Sequence, residues 1–193
     1  DGKSFLELQK TFIENYNDRE LFEIWWQSSL EVNKKYLSAD PKLRLSWAGP
    51  TMSARSSITA RQMETWAHGQ EIFDCLGVKR VEGDQVKNIV HLGISTFGWT
   101  FINRQLALPK EVPYVSLILP SGAPITYNKE SNLNFVSGSA VEFAQVVTQT
   151  RNIHDTSLTV KGVVAETWMS LAQCFAGKAE DPPAKGQRFK EAL

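Results

Sequence analysis

The chain is poor in cysteine, has no net charge and contains no long hydrophobic run. Cys75 and Cys174 are its two cysteines in 193 residues, which excludes a disulfide framework and a cysteine-rich zinc site and indicates a reducing, cytoplasmic location. Its 21 basic side chains balance 21 acidic ones, so no long-range field attracts nucleic acid. Apolar runs such as residues 115–119 are far shorter than the ~20 residues of a membrane-spanning helix. We therefore expect no nucleic-acid partner and no membrane association.

The composition is otherwise that of a folded globular protein. Hydrophobic residues make up 42% of the chain and charged residues 22%, and the length suffices for one large or two small domains. The hydrophobic pattern changes from a helical period to a strand-like one near residues 109–113. A domain boundary is therefore expected there.

Residues before this boundary have the pattern of four amphipathic helices. Apolar side chains recur at intervals of three and four, and the segments are separated by Gly, Pro, Asn and Asp. Four such helices joined by modest loops favour a helical bundle. The predicted helices are 5–16, 21–32 after a break at 17–18, one from Ser53 or Ser56 to just before Gly77, and one from about Asp84 to just before Pro109.

Residues after the boundary have the pattern of a small sheet with helices packed on one face, which is an α+β arrangement. Short β-rich runs alternate with turn residues, and Ser139 is placed to cap a helix. The predicted strands are 114–119, 125–127, 134–136 and 157–160, and the predicted helices run from 139 to about 148 and from 165 to 175.

Glu64 and His68 form a pair of metal-ligating residue types at a fixed helical spacing. Four residues apart, they lie on the same face of the third helix, so a carboxylate and an imidazole can converge on one divalent ion. Catalytic zinc normally takes three protein ligands, so a further ligand is needed. The alternative is a Glu–His ion pair on a half-exposed helix face.

Other polar residues give weaker signals. His91 is either a replacement ligand or a buried histidine bound to a neighbouring carbonyl. Arg151 begins a polar cluster with His154 and Asp155, and its guanidinium suits bidentate binding of a substrate carboxylate. The alternative is a surface turn held by its own Asp and Arg. Both cysteines lack an activating neighbour and are predicted to be core residues.

Several motifs of the chain resemble one bacterial family. The longest comprises GPTMSARS at 49–56, TAR at 59–61 and METWAHGQ at 63–70. Supporting motifs are VHLG at 90–93, PSG at 120–122, VSGSAVEF at 136–143, VTQTR at 147–151 and LAQCFAG at 171–177. From about residue 20 to 178 the chain resembles an uncharacterised family of metal-binding proteins. That family is related to the N-terminal domain of mycothiol-dependent maleylpyruvate isomerase, within the DinB-like four-helix superfamily.

The resemblance implies an α+β fold in which a DinB-like four-helix bundle, lacking its first helix here, precedes a small sterol-carrier-like α+β domain. The implied domains are residues 1–109 and 113–178, followed by an irregular tail at 179–193. A bundle without its first helix exposes apolar side chains, so a homodimer or another docked partner is expected. The side chains expected to be exposed are Leu21, Trp25, Phe97 and Phe101.

The resemblance also implies a metal centre and a reaction. It assigns Glu64 and His68 as ligands of a divalent ion, zinc foremost, with the third ligand a histidine upstream of Asp1, so that this chain alone binds the ion weakly. The implied activity is that of a transferase or isomerase that uses the metal and a low-molecular-weight thiol to act on a small-molecule substrate, with Arg151 on a substrate carboxylate.

A non-catalytic function is the alternative to this enzyme. In that case the protein binds a metal, or an apolar ligand in its sterol-carrier-like half. Some relatives carry a "wyosine base formation" label. We discount tRNA modification because the chain is neutral and lacks the cysteine run of an iron–sulfur site.

Overall fold

The computed structural model of the protein describes residues 4–47 and 51–188. The chain forms two compact units, Asp1–Ile58 and Thr59–Leu193. Helices and strands both occur, so the fold is mixed α and β, as the sequence predicts. No helix in the described part of the chain is long and apolar enough to cross a lipid bilayer.

The described residues of the first unit form two helices and a short antiparallel pair of strands, and they include the start of a third helix. The break predicted at residues 17–18 is confirmed. It arises because the Asn17 side-chain oxygen accepts the backbone N–H groups of Arg19 and Glu20, while the Glu20 carboxylate accepts the backbone N–H of Asn17. The elements are α1 (Phe5–Ile13), α2 (Asp18–Ser38), β1 (Arg44–Leu45) and β2 (Met52–Ser53), followed by the start of α3 (Ala54–Leu76).

Two helices, rather than one, occupy the region after α3. A single 3-10 turn at Asp84–Val86 leads into α4 (Lys87–Ser95), and α5 follows at Phe97–Asn103. The hydroxyl of Thr96 donates to the carbonyl of Leu92 at 2.8 Å. A threonine that bonds back to the preceding turn bends a helix, and Thr96 has left helical geometry at φ −96° and ψ 9°. The prediction of one continuous helix over this region is therefore wrong.

The second half of the chain forms a four-stranded mixed sheet with the order β4-β3-β5-β6. The predicted hairpin is confirmed as the antiparallel pair β3 and β4, whereas β5 lies parallel to β3 and antiparallel to β6. The Ser139 hydroxyl accepts the backbone N–H of Glu142 and so caps α6 as predicted. The elements are β3 (Tyr114–Ile118), β4 (Pro124–Tyr127), β5 (Phe135–Ser139), α6 (Ala140–Val147), β6 (Thr159–Lys161) and α7 (Val163–Leu171).

One hydrophobic core runs through the second unit. Ile89 of α4, Phe143 of α6 and Trp168 of α7 are fully buried members of it. Gly93 lets α4 approach α6 closely, since a Cβ there would lie 2.8 Å from a methyl group of Val147. Buried residues from before and after residues 109–113 therefore belong to the same hydrophobic core.

Burial corrects part of the expected apolar surface. Trp25 is exposed as predicted, whereas Phe97 and Phe101 are only 5% and 3% exposed. The two phenylalanine rings lie 5.1 Å apart, and Phe97 also contacts Trp168 edge to face. Their predicted exposure is wrong because α5 packs into the core of the second unit.

Candidate functional site

Glu64 and His68 lie together on one exposed face of α3. The helix begins after Ser53, whose hydroxyl accepts the backbone N–H of Ser56 at 3.1 Å. One turn separates the pair, and the Nε2 atom of His68 lies 3.6 Å from Oε2 of Glu64. The side chains are 72% and 53% exposed, so both are free to reach an external ligand. As an ion pair alone, this contact would contribute little to stability.

Glu71 is a third polar side chain on the same face. Its Oε2 atom lies 3.3 Å from Nδ1 of His68, and its Oε1 atom accepts from the guanidinium of Arg188. Partial burial raises the pKa of the Glu71 carboxyl. Hydrogen bonds and charge from Arg188 and His68 outweigh that effect and hold the pKa below its usual range. Glu71 is therefore an anion at neutral pH.

A cavity of about 410 Å³ opens beside this face of α3. Four acidic residues line it, Glu64, Glu71, Glu180 and Asp181, and two guanidinium groups pair with them, since Arg188 binds Glu71 and Arg104 binds Asp181. Such a surplus of negative charge attracts cations and repels anions. The cavity is therefore better suited to a metal ion than to an anionic substrate.

The C-terminal segment, residues 172–188, forms the outer wall of this cavity. It contains no helix or strand in its described residues, yet buried side chains hold it in place. Gln149 donates to the carbonyls of Ala172 and Glu180 at 3.0 and 2.8 Å. Gln173 donates to the carbonyl of Lys178 and accepts the backbone N–H of Glu180, both at 3.0 Å. The segment is thus fixed by amide side chains rather than by secondary structure.

The donor atoms fit two positions of a metal site but do not complete one. Ligand atoms about 2.0–2.1 Å from a tetrahedral zinc ion lie about 3.4 Å apart. The 3.6 Å between Nε2 of His68 and Oε2 of Glu64 is close to that spacing. No group of three or more His, Cys, Asp or Glu suited to a metal ion occurs among residues 4–47 and 51–188. At least one further donor is needed.

Cys174 is buried, and its thiol is expected to be unreactive. Burial raises the pKa of its thiol, and the charge of Glu64 raises that pKa further. A neutral thiol is a poor nucleophile. The prediction of two core cysteines is confirmed for Cys174 and wrong for Cys75, which is exposed.

Arg151 lies away from the metal pair, in a buried ion pair with Asp74. Its Nη1 and Nη2 atoms are 2.5 and 2.6 Å from the two carboxylate oxygens of Asp74. The side chains are 5% and 15% exposed. Gln70 also donates to Asp74, at 2.8 Å. The guanidinium that we expected on a substrate carboxylate is therefore already engaged by a carboxylate of the protein.

A second cavity, of about 1330 Å³, has Arg151 and Asp74 in its wall. Its apolar lining includes Phe73, Ile118 and Val141. Residues of α3 line both cavities: 63, 64, 67, 68 and 71 line the smaller one, and 70, 73 and 74 line the larger one. The structure therefore brings Glu64 and His68 together and places Arg151 in a different cavity.

The other two histidines do not join the site. His91 is exposed, with its ring centre 6.1 Å from that of Tyr127, so neither a buried role nor a place in the smaller cavity is observed. His154 is exposed as well, and Asp155 binds the backbone N–H of Gly186. Arg151, His154 and Asp155 therefore do not form the expected cluster, because Arg151 binds Asp74 and Asp155 binds Gly186.

Three residues of these sites were not expected from the sequence. Glu71 had a local signal, since it follows His68 by three residues and lies on the same helix face. Asp74 and Arg188 had none, because their partners lie 77 and 117 residues away in the chain.

Comparison with known proteins adds a family relationship. Residues 8–73 match the family described as the mycothiol maleylpyruvate isomerase N-terminal domain. Two uncharacterized proteins of Mycobacterium tuberculosis, from strains CDC 1551 / Oshkosh and ATCC 25618 / H37Rv, are each 35% identical to the chain over 183 residues. The similarity covers 95% of this chain and 70% of each relative. No solved structure matches the chain.

Proposed function

We propose, since this chain belongs to the same family as the uncharacterized mycobacterial proteins, that it is a divalent-metal-dependent transferase or isomerase that uses a low-molecular-weight thiol. The observation that carries the proposal is that residues 8–73, which match the mycothiol maleylpyruvate isomerase N-terminal domain, contain both Glu64 and His68. A DinB-like bundle and a sterol-carrier-like second half are part of the same proposal.

Glu64 and His68 supply the protein's donors in this function. Oε2 of Glu64 and Nε2 of His68 would hold a divalent ion, and the acidic residues that line the smaller cavity would attract it. When bound, a zinc ion supplies Lewis acidity that lowers the pKa of a thiol.

The metal site predicts a specific loss of zinc binding. In the Glu64→Ala, His68→Ala double variant, the association constant of the chain for Zn²⁺ should fall at least tenfold, because both donors are removed; even loss of a residue that only supports a ligand costs about 10–100-fold. Competition with a chromogenic chelator measures this constant. Since two donors do not complete a zinc site, the wild-type chain is itself expected to bind zinc weakly.

The matched control is the His91→Ala, His154→Ala double variant, which removes the chain's other two histidines, both exposed. Its zinc affinity should equal that of the wild type. Equal affinity in the Glu64, His68 variant and the wild type would show that zinc binds elsewhere and would remove the metal from the proposal.

The larger cavity supports a second candidate function, binding of an apolar ligand without catalysis. Its volume of about 1330 Å³ exceeds the about 300–1,000 Å³ usual for small-molecule sites. Val78, Val81 and Ile118 in its lining are exposed. Apolar side chains that face an open cavity favour an apolar occupant, because its binding removes their surface from water.

A neutral fluorescent probe, N-phenyl-1-naphthylamine, tests this second function. Ile118→Lys should weaken its binding by about tenfold or more, since a charged group then faces the apolar ligand. The control is Leu133→Lys, which places the same charge on an exposed leucine outside the cavity lining and should leave binding unchanged. A wild-type protein that does not bind the probe, or equal losses in both variants, would rule out an apolar ligand here.

Three further predictions belong to the same proposal and stay predictions. They are a carboxylate-bearing substrate on Arg151, a homodimer, and a reducing, cytoplasmic location. The last agrees with the free state of both cysteines.

A further inference from the structure

We infer that Glu71 is a positioning residue, which holds the His68 imidazole with its proton on Nδ1 and its lone pair on Nε2 directed toward Glu64. The contact that carries this inference is the 3.3 Å hydrogen bond between Nδ1 of His68 and Oε2 of Glu71. The inference deepens the proposed function, on which it rests for the identity of the ligand atom.

The two carboxylates beside His68 are not equivalent partners for its proton. Oε2 of Glu71 lies within hydrogen-bond distance of Nδ1, whereas Oε2 of Glu64 lies 3.6 Å from Nε2. In a neutral imidazole one nitrogen donates and the other accepts, and the hydrogen bond of one nitrogen decides the state of the other. The shorter contact therefore favours Nδ1–H and leaves Nε2 free to bind a metal ion.

Arg188 fixes Glu71 in this role. It donates to Oε1 of Glu71, which leaves Oε2 for His68, so each carboxylate oxygen has its own partner. Arg188 belongs to the C-terminal segment, which buried glutamines hold in place. The orientation of His68 is therefore linked to residues more than 100 positions later in the chain.

Glu71 acts on His68 and is not itself a ligand beside Glu64. Nδ1 and Nε2 lie on different edges of the imidazole ring, and Glu71 contacts the Nδ1 edge. An ion held by Nε2 and Glu64 would lie at the other edge. A carboxylate behind a ligating histidine raises the basicity of the ligand and fixes its ring.

Nitrogen-15 NMR of the full chain reads the tautomer directly, without any metal. In the neutral state of its imidazole, wild-type His68 should show a protonated Nδ1 and an unprotonated Nε2. Glu71→Ala should move the proton toward Nε2, and Glu71→Gln should retain the wild-type pattern because its amide oxygen still accepts from Nδ1–H. His91 and His154 are internal controls whose signals should not change.

Zinc affinity gives the second readout. Glu71→Ala should lower the association constant for Zn²⁺ by about 10–100-fold, and Glu71→Gln should lower it less. The inference is overturned by a wild-type His68 with its proton on Nε2, by a tautomer that Glu71→Ala leaves unchanged, or by unchanged zinc affinity in that variant.

The failure of the inference and that of the proposed function are distinguishable. A wild-type chain with Nδ1–H on His68 that binds no zinc overturns the metal function and supports the positioning role. Zinc binding that depends on Glu64 and His68 but not on Glu71 supports the metal function and overturns the positioning role of Glu71.

Discussion

Asp74→Ala is expected to lower the free energy of unfolding by about 3–5 kcal/mol, because it removes the carboxylate that balances the buried charge of Arg151. The pair is bidentate, at 2.5 and 2.6 Å, and both side chains are largely buried. Urea unfolding monitored by circular dichroism measures the change. Arg151→Ala should cause a similar loss, since it leaves a buried carboxylate that retains only the amide of Gln70.

An exposed ion pair supplies the matched control for this prediction. Arg19 and Glu23 lie 3.2 Å apart on α2, with side chains 88% and 61% exposed. Glu23→Ala should leave stability unchanged within error, because exposed pairs contribute little. Asp74→Leu combined with Arg151→Met should be more stable than either single alanine variant. If Asp74→Ala is as stable as Glu23→Ala, the buried pair does not form in solution.

This measurement also bears on the substrate role predicted for Arg151. A guanidinium that stabilises the fold through Asp74 is held in place for the protein, so a substrate carboxylate would have to displace Asp74. If single alanine variants of the pair are stable, the fold does not depend on the pair, and a substrate carboxylate could take the place of Asp74. The stability of these variants thus separates a structural arginine from a ligand-binding one.

Local features of the fold were predictable from the sequence, and non-local ones were not. The break before α2 and the cap of α6 were found because Asn17 and Ser139 act within three residues of their own positions. The division between α4 and α5 was missed because Thr96 is compatible with a helix, and its bond to Leu92 decides the geometry. The packing of α4 against α6 is not predictable from the sequence, because the two helices are far apart in the chain and meet at Gly93.

The same difference between local and non-local features applies to the candidate site. The spacing of Glu64 and His68 alone places them on one helix face, and the structure has them 3.6 Å apart. Arg151 was singled out by its chemistry, but the carboxylate that binds it comes from α3, 77 residues earlier. A sequence pattern shows which residue types can bind an anion. It does not show whether the fold already provides that anion.

Phe143→Ala is expected to cost about 3–5 kcal/mol of stability, because the removed ring leaves a cavity in the hydrophobic core. Phe143 is fully buried on α6, and its ring meets that of Trp168 edge to face, with centres 5.6 Å apart. Such aromatic pairs contribute about 0.5–1.5 kcal/mol beyond the area they bury. Chemical unfolding followed by tryptophan fluorescence measures both the loss and the change around Trp168.

The control for this prediction must be an apolar residue outside the core. Glu142 is unsuitable because its carboxylate accepts both the backbone N–H and the hydroxyl of Ser157, at 3.1 and 2.8 Å. Val163 begins α7 and is 80% exposed, so Val163→Ala should cost less than about 0.5 kcal/mol. Equal losses at Phe143 and Val163 would contradict the placement of α6 on the sheet. The two stability losses should differ because Phe143 lies in the core that α4, α6 and α7 share, whereas Val163 lies at the surface.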